Sequence, residues 1–158
     1  MRKNKLYVMC GVPGSGKSTA AKAYYTKHSS TTKLVSRDDI RFSLLKDNES
    51  YFKYEKQVFN IFIKEIKSGL KNGYDVIADA THLNHHSRSK LLRSLGNSIK
   101  NIEIIAVVIK QPLEICLKQN KNRKGTKFFV PENALKDMYE NFEVPFEEEG
   151  FKTIILDI

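Results

Sequence analysis

Cysteine is scarce in this chain: Cys10 and Cys116 are the only two, without the paired spacing of a metal site. Both fall in stretches expected to be regular, so they read as reduced, buried thiols of a cytoplasmic protein rather than a disulfide framework. Long apolar runs are missing too. No stretch approaches the roughly 18 residues that a membrane crossing needs. Residues 2–5 are basic like the head of a signal peptide, but the apolar run behind them soon ends in a glycine-rich loop, which argues against export. Repeats, linkers and low-complexity tracts are also lacking, so a single domain over residues 1–158 is expected. Acid is in deficit, 18 Asp and Glu against 27 Lys and Arg, for a net charge of +9. A nucleotide site accounts for little of that excess. The rest suits a polyanionic partner, although many lysine-rich proteins are basic without one.

What is present begins with Gly11-Val12-Pro13-Gly14-Ser15-Gly16-Lys17-Ser18, which completes the pattern Gly, four residues, Gly-Lys-Ser/Thr. A short apolar run over 5–10 reads as a buried strand before it, and 19–27 reads as a helix after it. Strand, glycine loop and helix in that order make a nest of backbone N–H groups at a helix start, which binds phosphate. Gly14, Ser15, Gly16, Lys17, Ser18 and Thr19 are therefore the expected ATP contacts. Lys17 would neutralise β- and γ-phosphate oxygens, and the Ser18 hydroxyl would ligate Mg2+.

Strands and helices then alternate, which predicts a parallel sheet covered by helices on both faces. A strand over 33–35 runs into Ser36-Arg37-Asp38-Asp39-Ile40-Arg41, where Ser36 and Asp39 have capping-box spacing. Asp38 and Arg41 share a face of the first turn at the carboxyl end of a strand, where open α/β sheets place ligands. Residues 47–50 break the chain. A helix then extends to about residue 71, with Val58, Phe59, Phe62, Ile63, Ile66 and Leu70 as its core stripe. The third strand, 74–79, ends in Asp79, suited to organise Mg2+ and its water shell. Thr81 and His82 follow on a loop expected to face the pocket, and Asn84 is expected to cap a helix reaching residue 95. Three histidines at 82, 85 and 86 lack the helix-face pair or cysteine partner of a metal site.

Residues 102–109 form the most apolar strand, and Pro112 opens a helix behind it. Residues 118–127 are half basic and end in a flexible Gly-Thr-Lys. Such a run is either a solvated face or a lid whose arginine, Arg123, meets charge on a transferred phosphoryl group. Phe128 to Pro131 would anchor it before a last helix to residue 142. The acidic loop 143–150 has no evident catalytic use, and 152–157 supplies a fifth strand.

Four landmarks stand in order: the phosphate loop at 11–18, Ser-Arg-Asp-Asp-Ile-Arg at 36–41, Ile-Ala-Asp-Ala-Thr-His-Leu-Asn at 77–84, and Asn-Arg-Lys-Gly-Thr-Lys…Val-Pro at 122–131. Together they resemble the kinase domain of the phage-type polynucleotide 5′-hydroxyl kinases over about residues 5–142. The resemblance implies a three-layer α/β/α fold with five parallel strands in the order 2-3-1-4-5 and a lid at about 118–130. It also implies transfer of the γ-phosphate of ATP, with Mg2+, to the 5′-hydroxyl end of DNA or RNA. Catalysis would fall to Lys17, Asp38 as general base, Arg41 and Arg123. Asp38, Arg41, Asp79 and Thr81 would contact the acceptor, with Ser18 and Asp79 on the metal side. There is no room for the phosphatase domain that some members carry, so the expected activity is kinase only; ligase or phosphatase partners in end repair are a further expectation of the resemblance. His82 replaces a usual asparagine, Gln119 replaces a common second lid arginine, and the lid is about two residues longer. Two competing readings share the scaffold: a kinase of a small alcohol (sugar acid, nucleoside or antibiotic), and a slow ATPase acting as a regulatory nucleotide-binding protein.

Overall fold

Side chains along the central strands alternate between two buried clusters, because successive strand residues point to opposite faces. In β1 (Lys5–Cys10), Leu6, Val8 and Cys10 enter one cluster while Met9, flanked by Tyr7, enters the other. In β3 (Asp75–Asp79), Val76 and Ala78 join the first and Ile77 the second. Helices on each face close the two clusters. The computed structural model describes residues 3–157, so part of the basic opening lies outside the described residues.

The first face is covered by α2 (Arg37–Leu44), α3 (Glu55–Lys71) and α4 (His85–Leu95), through Ile40, Val58, Phe62, Ile66, Leu70, Leu91 and Leu95. On the second lies α1 (Lys17–Lys27), whose Ala21 packs on Met9, Ile77 and Ile109. The remaining strands are β2 (Thr32–Ser36), β4 (Glu103–Ile109) and β5 (Thr153–Asp157). All pairings are parallel in the order β2-β3-β1-β4-β5, the expected P-loop arrangement. A third apolar group, Val12, Cys116 and Leu135, docks α5 (Leu113–Lys121) and α6 (Glu132–Glu140) against the glycine loop. No helix among the described residues is long and apolar enough to cross a membrane.

Register fixes where the chemistry gathers. Ser36 pairs with Asp79, and Cys10 with Val108, so β1 to β4 end together and their following loops share one edge. Two helix starts differ from expectation. Helix α1 begins at Lys17 rather than 19, because Gly16 in the left-handed region (φ 94°) already serves as N-cap. Helix α3 begins at Glu55, because residues 51–54 form turns closed by Lys53 N–H to Ser50 O and Glu55 N–H to Phe52 O.

Candidate active site

The glycine loop is shaped by contacts that only glycine permits. Gly14 sits at φ 81°, and a β-carbon there would collide with the carbonyl oxygen of Cys116 in α5. Helix α1 starts without a side-chain cap and without an acid in its first turn, so its N–H groups stay open to an anion. The Ser15 hydroxyl is buried with no hydrogen-bond partner, an orphan that a phosphate oxygen would satisfy. Lys17 Nζ lies 3.2 Å from Asp79 Oδ1 and 3.5 Å from Ser18 Oγ. One ammonium, one hydroxyl and one carboxylate thus converge beside the open helix start. This oxygen-rich donor set fits a nucleotide phosphate with a hard divalent cation. Among the described residues, no group of three His, Cys, Asp or Glu could form an all-protein metal site.

Across a cleft of about 370 Å³ lies the second group. Ser36 caps α2 by accepting from Asp39 N–H at 3.2 Å. That cap sets the first turn, on which Asp38 and Arg41 meet by an ion pair. The Arg41 guanidinium also donates to Glu55 (Nε to Oε1 2.6 Å, Nη2 to Oε2 3.1 Å) and to Tyr51 Oη at 2.9 Å, with its Cζ 4.4 Å from the Tyr51 ring centroid. Tyr51 Oη donates in turn to Asp38 Oδ1 at 3.1 Å. Burial works against the Arg41 charge, but the Glu55 hydrogen bonds, with the fields of Tyr51 and Asp38, outweigh it and raise its pKa. Burial, and then the Asp38 carboxylate, push the Tyr51 phenol well above its ordinary value, so it remains a donor at neutral pH. Asp38 is therefore held as an oriented carboxylate that is still 44 % exposed toward the cleft.

The third wall comes from the segment after α5. Asn120, nearly fully buried, clamps it: its Nδ2 donates to Val130 O at 2.7 Å and its Oδ1 accepts from Val130 N–H at 3.0 Å. Residues 122–130 thereby form a closed loop that carries Arg123, Phe128 and Phe129 onto the cleft. Thr81 also lines the cleft, while its carbonyl accepts from Gly11 N–H at 3.0 Å. Gly14, Gly16, Lys17, Ser18, Asp38, Arg41, Thr81 and Arg123 share this one cavity. Asp79 reaches it through Lys17, and Ser15, buried within the loop, is not among its lining residues. Thr19 is exposed on α1 and does not line it, and Gln119 is exposed on α5.

His82 departs from expectation. Instead of facing the cleft it is buried, with φ 44° and Nδ1 2.6 Å from Met9 O. The ring fills space behind the glycine loop beside Phe62, and burial lowers its pKa to about 4. Sequence reasoning also passed over Tyr51, Glu55, Arg88 and Asn120. Glu55 had a visible bland role as an acid in a helix first turn. The acidic loop proves structural: Glu149 pairs with fully buried Arg88 at 2.8 Å, and His85 sits 3.0 Å from both Glu143 and Glu149.

Comparison with known proteins gives a family and a fold. Residues 6–145 match the family model AAA_33, described as an AAA domain. No curated protein matches the chain. Among solved structures, a chain of the Pnkp1/Rnl/Hen1 RNA repair complex is similar at 27% identity and a TM-score of 0.66, over 89% of this chain and 44% of that one. This chain thus spans less than half the length of that relative. Kti12 of Chaetomium thermophilum in complex with ADP-AlF3 is similar in fold, at 18% identity, TM-score 0.70, 96% of this chain and 88% of that one. So is a gluconokinase from Sinorhizobium meliloti 1021, at 18% identity, TM-score 0.60, 99% of this chain and 83% of that one.

Proposed function

The chain belongs to the AAA domain family AAA_33, with the fold of P-loop nucleotide-binding kinases, and from that premise we propose that it is an ATP-dependent polynucleotide 5′-hydroxyl kinase. The observation that carries this reading is Asp38, oriented by Arg41 and Tyr51, facing across one cleft the Lys17, Ser18 and Asp79 group. A nucleotide hydrolase needs the Lys17, Ser18 and Asp79 group but has no use for a carboxylate locked beside an acceptor space. The likeness at 27% identity to a chain of an RNA repair complex supports a nucleic-acid end as acceptor, and the +9 charge supports a polyanion.

In this reading Asp38 accepts the proton of the 5′-hydroxyl as that oxygen bonds to the γ-phosphorus of ATP and the bond to the β–γ bridging oxygen breaks. Arg41 holds Asp38 in place and, lining the same cleft, would meet the acceptor's neighbouring phosphate. Lys17 and the open N–H groups of α1 take up charge on the β- and γ-phosphate oxygens. Ser18 and Asp79 would hold Mg2+, which supplies positive charge across those oxygens. Residues 118–130 act as a lid in which Arg123 meets charge on the phosphoryl group in transit, with the Asn120 clamp as its hinge post. Thr81 borders the acceptor. The free, buried Cys10 and Cys116 support a reducing, cytoplasmic setting, and ligase or phosphatase partners would complete end repair.

The test is transfer of labelled γ-phosphate from ATP to a 5′-hydroxyl oligonucleotide, against a 5′-phosphorylated control. Wild type transfers, while Lys17→Ala and Asp38→Asn lose about 10²-fold or more with nucleotide binding intact in the second. Transfer to gluconate-like alcohols and not to oligonucleotides would replace this reading with that of a small-molecule kinase.

A further inference from the structure

The mouth of the cleft carries aromatic surface that the phosphoryl-transfer groups do not use. Four rings form a continuous chain of contacts from the 122–130 loop, across α2, to the turn before α3. Phe128 meets Phe42 at 4.9 Å and 84°, Phe42 meets Tyr51 at 6.0 Å and 67°, and Tyr51 meets Phe52 at 4.7 Å and 78°. These edge-on contacts fix the rings against one another. The two ends stay open: Phe52 is 62% and Phe128 42% exposed, and both line the cleft. Lys127 adds a cation over the same rings, with Nζ 5.2 Å from the Phe42 centroid and 5.6 Å from that of Phe128.

Exposed aromatics that are held rigid, rimmed by positive charge and directed at a cleft are a feature that folding does not call for. Phe52 in particular buries little. Its neighbour Tyr51 is the residue that donates to Asp38, so the open ring lies one residue from the group that positions the proton acceptor. A sugar acid or other small polar alcohol has no flat apolar face for such a surface. A nucleobase has one, and its attached phosphates match Lys127.

We propose that Phe52 and Phe128 form a stacking platform for the base of the acceptor's terminal nucleotide, with Lys127 facing its phosphate backbone. This rests on the polynucleotide reading above and names its substrate class: an unpaired 5′ end, recognised with little sequence preference. In a blunt duplex the terminal base offers only its outer face and brings its paired strand to the cleft mouth with it, so an unpaired end reaches Phe52 at less cost. Stacking is tolerant of base identity because every base offers a π face.

The test measures steady-state transfer to three acceptors: a single-stranded 5′-hydroxyl oligonucleotide, the same strand with an abasic first nucleotide, and a blunt duplex. Wild type, Phe52→Ala and Phe52→Trp are compared, with thermal melting and ATP binding as checks on folding. Phe52→Ala should raise KM for the single strand roughly tenfold, within the range for loss of one stacked base, and leave kcat and ATP binding near wild type. Phe52→Trp should restore KM. The abasic acceptor should cost wild type at least the same factor and Phe52→Ala less, and wild type and Phe52→Trp should prefer the single strand to the duplex more strongly than Phe52→Ala does. Equal KM for all three proteins, or an abasic penalty undiminished by Phe52→Ala, overturns the platform while leaving the kinase reading standing. Absence of transfer to any oligonucleotide by wild type, with ATP still bound, overturns the kinase reading and the platform with it.

Discussion

Two buried arginines divide this molecule into a part that works and a part that holds. Arg41 is 5% exposed and Arg88 fully buried, and each is met by a glutamate from a distant stretch of chain. Their remaining partners differ. Arg88 donates to His82 O and Glu143 O at 2.7 and 2.8 Å, and its network runs on through His85 to Glu143 at the surface, outside the cleft. Arg41 is linked instead to Asp38 and Tyr51, and Asp38 opens on the cleft. The same side chain thus ties the 143–150 loop to α4 in one place and aims a carboxylate at a substrate space in the other. Burial of a charge does not by itself mark a functional site. What marks one is a buried charge whose network ends on a group lining the cleft.

The comparison is sharpest at Arg88. Replacing it by Met leaves Glu149 without its counter-ion in a partly closed site, so unfolding free energy should fall by about 3–5 kcal/mol. Denaturant unfolding reads this directly. Transfer activity measured well below the melting point should survive, and loss of activity without loss of stability would erase the distinction between the two arginines.

His82, which joins the Arg88 network to β1, sets a second test. Burial holds its pKa at about 4 against an ordinary 6.5, so the folded ring stays neutral where an unfolded chain takes up a proton. Stability from this group is whole above pH 6.5 and is lost as pH falls toward 4, by about 3 kcal/mol in all. Melting temperatures across that window should drop in wild type. In His82→Asn they should drop less, and an identical acid slope in the variant would remove His82 from the account.

Arg41→Lys keeps the charge but cannot span Asp38 and Glu55 at once. Transfer should slow about a hundredfold, as expected for a misplaced reacting group, with a melting temperature close to wild type. A large stability loss with normal turnover in the surviving fraction would make Arg41 a second Arg88. Tyr51→Phe is the mildest case. It removes one hydrogen bond on Asp38 of about 1 kcal/mol, so turnover should fall several-fold with KM for ATP unchanged.

Much of the fold was legible because its signals are local. The phosphate loop sits between an apolar strand and a helix, Asp38 and Arg41 share a turn, and the order of strands follows from the resemblance that the four landmarks carry together. Lys17, Ser18, Asp38, Arg41, Thr81 and Arg123 were all named from sequence and all border one cavity. The failures share one cause. His82 was placed toward the pocket because neighbours in sequence were assumed to face one way, yet its left-handed backbone turns it onto Met9 O. Tyr51 and Glu55 lie 10 and 14 residues from Arg41, beyond any periodic pattern, and Glu149 lies 61 from Arg88.

The sequence by itself determined the strands, the glycine loop and the residue types that handle phosphate, because backbone geometry and hydrophobic periodicity act over a few residues. Only the tertiary structure decided which arginine faces the cleft, which acids serve as counter-ions, and that four phenyl and phenol rings meet at its mouth. Those outcomes depend on distances between chain segments far apart in sequence, set by how the helices pack on the sheet, and no short-range pattern encodes them.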